Sequence, residues 1–156
     1  MKEVKKVAFV HEFFPSGGAE RVTCDIATTL LERGGYEVYV LTLKFNPAML
    51  PANLASDNRF HVIASENTDV RYLSDIPNFL VDNVRDNGIS SVVFVVQRLH
   101  DVADELKRMG CHTIYANHGP AFWEVPDRRQ PVRLKARRSR AKTIKYYLFK
   151  YLRYEV

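Results

Sequence analysis

The residues best suited to chemistry are two adjacent glycines, Gly17 and Gly18, near the end of the run Val7–Val22, VAFVHEFFPSGGAERV. The run reads as a buried strand, a short loop, and the first turn of a helix. A helix N-terminus presents unpaired backbone N–H groups, and residues without side chains let a ligand approach the backbone. The chemistry this allows is that of an anion cradle, with phosphate as its natural guest. A second polar, glycine-containing turn, Asn117-His118-Gly119-Pro120, follows a later strand. Between them Arg98 and His100 follow the strand SVVFVV. A tight turn that happens to precede a helix remains the plainer account of the glycines.

Several kinds of phosphate chemistry are excluded by what is missing. No Gly-Lys-Ser/Thr follows the glycine pair, so the lysine and the magnesium-binding hydroxyl of a nucleoside triphosphatase are absent. The pair is not a G-x-G-x-x-G fingerprint, and the second strand ends in Thr42-Leu43-Lys44 without the acid that holds a nicotinamide ribose. The chain has no G-x-S-x-G nucleophile elbow and no pair of histidines with zinc spacing. No metal site and no cofactor is expected. Cys24 and Cys111 stand in no redox or metal spacing and read as two buried free thiols.

The elements that position these residues alternate. Val4–Val10 is a near-continuous apolar run suited to a strand covered on both faces. Ala19–Arg33 is helical, with Val22, Ile26, Ala27, Leu30 and Leu31 as its apolar stripe, Glu20 in the first turn, and Gly34-Gly35 ending it. Tyr36–Leu43 is the second strand, which makes a parallel pair with a right-handed crossover. Lys44–Arg59 reads as loop, Phe60–Ser65 as a third strand, and Thr68–Asn87 as a helix in which Pro77 marks a start or a break. Ser91–Val96, the most apolar strand, is expected at the centre. Leu99–Met109 is a helix, and His112–Ala116 a fifth strand. This order predicts an α/β fold, an open parallel sheet with helices on both faces. Such sheets bind ligands outside the carboxyl ends of their strands, so the loops His11–Gly18 and Asn117–Gly119 should share one rim.

Charge divides the chain. Residues 1–127 carry 12 basic and 17 acidic side chains, whereas residues 128–156 carry 11 basic and one acidic. The net charge of +5 over 156 residues therefore belongs to the tail and does not make the whole protein nucleic-acid-binding. In the tail, Ile144, Tyr147, Leu148, Tyr151 and Leu152 fall on one helical face. Two uses stand side by side: a helix of the same domain with a solvated basic face, or a basic amphipathic helix on an anionic membrane surface. Nucleic acid is not expected as a partner. No apolar run approaches the ~20 residues that span a bilayer, and the basic start MKEVKKVAFV is too short in apolar residues for a signal peptide. A cytoplasmic protein, peripheral at the inner face of the membrane if the tail binds there, is expected.

One family resemblance goes further. The strand followed by His-x-Phe-x-Pro-x-Gly-Gly-Ala-Glu-Arg-Val resembles the start of a family 4 (group 1) retaining glycosyltransferase. Phe14, Pro15, Gly17, Gly18, Ala19, Glu20, Arg21 and Val22 carry the match. It continues in order over roughly residues 5–125, through YVLTL and SVVFVV to Asn117-His118-Gly119. The resemblance implies a Rossmann-like domain, the N-terminal half of the two-domain GT-B fold, over residues 1–127, with residues 128–156 as a basic helical tail of the same domain. It implies a nucleotide-sugar donor as substrate and a glycan or lipid-linked acceptor, as in polysaccharide synthesis. Gly17 and Gly18 would meet the donor diphosphate, and Glu20 would orient that loop or touch a ligand. His118 would position the sugar or stabilise an oxocarbenium-like transition state. His11, Arg98 and Asn117 are candidates for the acceptor side. For each residue a plainer role stays open: His118 as a turn histidine, Glu20 as a first-turn carboxylate, His11 as a satisfied surface histidine, Arg98 as a solvated helix-start residue. The absence of Asp-x-Asp argues against the metal-dependent GT-A type.

The chain also departs from the family. Nothing in it matches the second domain, with its pair of donor-gripping glutamates. The expectation is an acceptor-side fragment, inactive without the second domain. The alternative is a non-catalytic α/β module that binds phosphate or a partner and associates with membranes through its tail.

Overall fold

The computed structural model describes residues 4–15, 17–65, 69–95 and 99–116. The chain divides into Met1–Ala116 and Asn117–Val156, and only the first contains described residues. The tail and the Asn117–Pro120 turn therefore lie outside them.

Five parallel strands form one sheet: β1 (Lys5–Phe14), β2 (Tyr36–Phe45), β3 (Phe60–Ala64), β4 (Ser91–Phe94) and β5 (His112–Tyr115). Four helices connect them: α1 (Gly18–Arg33), the short α2 (Ala52–Ala55), α3 (Pro77–Asp86) and α4 (His100–Arg108). The strand order is β3-β2-β1-β4-β5. This is the expected α/β architecture, a Rossmann-like open sheet covered on both faces.

The faces follow from the period-two alternation of the strands. Ala8, Val10, Tyr39, Leu41, Val92 and Phe94 pack under α3 and α4, against Leu80, Val84, Leu99, Val102 and Leu106. Phe9, Val38, Val40 and Phe60 pack on the opposite face under α1 and α2, against Cys24, Ala27, Leu31 and Leu54. Burying one such side chain stabilises by about 1.5–3 kcal/mol, so the two layers together hold the sheet. Both cysteines are buried and free, and burial pushes both thiols up from their ordinary range.

Five expectations need correction. The central strand is β1, not β4, because the crossovers place two strands on one side of β1 and two on the other. β1 does not stop at Val10 but continues to Phe14, and β2 keeps pace to Phe45. The buried face of α1 is Thr23, Cys24, Ala27 and Leu31, whereas Val22 and Ile26 are 40% and 42% exposed. The helix expected from Thr68 begins at Pro77, which takes the first helical turn where its missing N–H costs nothing; a single 3-10 turn, Leu73–Asp75, precedes it. The presumed loop after β2 also contains α2 and a 3-10 turn at Pro47–Met49.

Candidate functional site

The sheet reverses direction between β1 and β4. From β1 the chain winds outward to β2 and β3, then crosses back to β4 and on to β5. The carboxyl end of this switch point is where open α/β sheets form a crevice. The last paired residues of β1 and β4 are Val10 and Phe94, followed by one further bond from Val95 N–H to the Val10 carbonyl at 3.2 Å. Among the described residues, β1 from His11 to Phe14 pairs with β2 alone. His11 and Glu12 therefore lie just past the last described β4 partner, and the glycine loop follows them in sequence.

Gly17 is the N-cap of α1 and Gly18 its first residue. Arg21 N–H makes the first helical bond to the Gly17 carbonyl, at 3.2 Å. Among the described residues no side chain caps this end. Gly17 has extended backbone that any residue adopts, but a Cβ built there would lie 2.7 Å from Glu20 Oε2. Around a Cβ at Gly18 there is only open space. A groove of about 480 Å³ runs beside the loop, lined by Pro15, Gly17, Gly18, Arg21, Met49 and Pro51. A second cavity of about 610 Å³ lies farther along the rim, after β3, between Ser65 and the start of α3.

His11 is not a surface histidine. It belongs to β1, faces α1, and is 1% exposed. Its Nε2 lies 2.9 Å from Thr23 Oγ1 and its Nδ1 3.4 Å from Glu20 Oε1. The Phe14 ring packs against it at 5.3 Å. Glu20 and Thr23 are three residues apart on α1 and so straddle the imidazole from one helix face. A side chain this enclosed offers no surface to an acceptor, which removes the direct contact expected for His11.

Glu12, on the opposite side of β1, was not singled out from the sequence. Its Oε2 accepts from Leu73 N–H at 2.9 Å, tying the central strand to the turn before α3. Burial pushes its carboxyl above the ordinary value of 4.5; the Leu73 bond opposes the shift and the Asp75 charge adds to it. The available signal was an acidic residue inside the apolar run FVHEFF.

The structure thus brings together Gly17, Gly18, Glu20 and His11. His100 is the exposed first residue of α4, its ring 5.2 Å from Tyr115 at the end of β5. Arg98, Asn117 and His118 lie outside the described residues. Among the described residues there is no group of three or more His, Cys, Asp or Glu side chains able to hold a metal. No described helix is long and apolar enough to cross a membrane.

No family model matches this chain, and no curated protein matches it. Among solved structures it is similar to the C-terminal domain of a hydrogenase from Pyrococcus furiosus, with 20% identity and a TM-score of 0.47, covering 76% of this chain and 95% of that one. A likeness at that level says nothing about activity.

Proposed function

We propose that this chain is the acceptor-side, Rossmann-like half of a metal-independent GT-B glycosyltransferase. Its reaction would move a sugar from a nucleotide-sugar to a glycan or lipid-linked acceptor. The observation that supports this reading is the placement of Gly17-Gly18 at the α1 N-terminus, on the carboxyl rim beside the sheet's switch point. There the backbone N–H groups and the helix dipole favour a diphosphate, and no side chain competes for the space at Gly18. His118 and Asn117, which follow β5 in sequence, take the sugar-positioning and acceptor roles, with Arg98 as a further acceptor contact. The basic segment 128–156 meets an anionic membrane surface on the cytoplasmic side, where lipid-linked acceptors are presented. The chain alone turns over little or no donor, because a second domain completes the cleft.

The test is a titration of the isotopically labelled chain with UDP-glucose and GDP-mannose, with and without magnesium, followed by backbone amide spectra. The reading predicts metal-independent shifts at Gly17, Gly18, Ala19 and Glu20. Silence at those amides with both donors would overturn it.

A further inference from the structure

We propose that His11 is a positioning residue for the glycine loop: held by Thr23, it fixes the Glu20 carboxylate against Gly17 through a proton on Nδ1. Burying an imidazole is costly unless both ring nitrogens are paired, and an apolar residue would fill the same space without that cost. Here Nε2 is paired at 2.9 Å with Thr23 Oγ1, and Nδ1 faces the Glu20 carboxylate at 3.4 Å, an ion-pair contact longer than an ordinary N–H···O hydrogen bond. An ionised carboxylate only accepts, so Nδ1 carries the proton that faces Glu20. In the neutral ring this leaves Nε2 to accept from the Thr23 hydroxyl, which is free to rotate to suit. Glu20 occupies the third position of α1, close enough to the N-terminus for its charge to sit well in the helix field. Its second oxygen points at the place where a Gly17 side chain would go. A side chain at 17 would push that carboxylate aside, and the histidine beside it is what holds it in place.

This deepens the glycosyltransferase reading only in its ligand arm. The loop contains its own anion, so an incoming diphosphate at Gly17-Gly18 meets a carboxylate whose position His11 controls. His11 touches no ligand; it acts through Glu20.

Two measurements on the full chain separate the possibilities. The first is the protonation state of the His11 ring by nitrogen NMR on histidine-labelled protein. The wild type should carry the proton on Nδ1, and Glu20→Ala should shift the ring toward the Nε2–H form. A bare Nδ1 in the wild type, or a ring unchanged by Glu20→Ala, overturns the proposal. The second uses UDP-glucose as the probe. His11→Phe keeps the ring volume and removes the donor, and should change the apparent affinity about tenfold, the scale of a lost hydrogen bond to a charged group. His11→Asn, whose amide N–H can replace Nδ1–H, should restore most of it. Equal affinity of His11→Phe and wild type overturns the positioning role. If wild type shows no UDP-glucose binding, the glycosyltransferase reading fails and the ring measurement decides the His11 proposal alone. The same holds if His11→Phe does not fold.

Discussion

The central strand and the β5 edge of the described sheet handle polar groups in opposite ways. At the centre, β1 is ten residues long, bonded on both flanks, and carries His11 and Glu12 past its last β4 partner. Both side chains there have partners from distant segments. At the edge, β5 is four residues long and pairs with β4 only among the described residues. Ile114 is 54% exposed, and the Thr113 hydroxyl is buried with no hydrogen-bond partner among the described residues. The difference teaches where the described residues complete one another: polar groups at the centre are paired, while at β5 neither apolar burial nor polar pairing is completed by the described residues.

Four experiments break or sharpen that contrast. The largest effect belongs to packing. Leu41→Ala, at a fully buried position beside β1, should cost about 2–5 kcal/mol by urea unfolding, whereas Ile114→Ala at the edge should cost less than about 1 kcal/mol. Similar losses at both sites would erase the distinction. Next, two threonines can be compared. Thr23→Val removes the 2.9 Å partner of His11 Nε2 and should cost about 1–3 kcal/mol; Thr113→Val removes a buried hydroxyl with no hydrogen-bond partner among the described residues and should be neutral or slightly stabilising. Thermal melts of the pair decide this, and a larger loss at Thr113 would reverse it.

The third concerns Glu12. Its folded carboxyl holds a proton more tightly than the ordinary value of 4.5. Its contribution is therefore fully present below 4.5 and is lost as pH rises through the higher folded value. Glu12→Gln keeps an acceptor for Leu73 and has no proton to lose. Its stability relative to wild type should rise from about pH 4 to about pH 7. A flat difference across that range would remove Glu12 from the account. The smallest effect lies in the loop itself. Gly18→Ala enters open space and should stabilise α1 by about 0.5–1 kcal/mol, while Gly17→Ala should gain nothing, because it pushes Glu20 away from its place. Chemical unfolding of both variants checks this.

The layered α/β plan was legible because parallel strands buried on both faces must be apolar along their length, and VAFV, YVLTL and SVVF are. The end of β1 was not. His11 and Glu12 look like the start of a loop; the β2 ladder keeps them in a strand, and their side chains are held by Thr23 and Leu73, 12 and 61 residues away. The same contact explains α1: Thr23 is buried because His11 needs it, which turns Val22 and Ile26 outward. β4 was expected at the centre by its hydrophobicity, but strand order is set by where the crossovers go, and a strand needs only two neighbours to be apolar. The glycine pair and Glu20 could be picked out from type and spacing. The burial of His11 between Thr23 and Glu20 could not, because it depends on which face of the strand meets α1.

The run of β1 along β2 past Val10 has a mechanical consequence. The strand end that leads toward Gly17 is tied to β2 by a ladder that reaches Phe14↔Phe45, and Asn46 N–H donates to the Phe14 carbonyl at 2.9 Å just beyond it. Displacing that end means breaking ladder bonds to β2, which costs more than swinging an exposed loop tip.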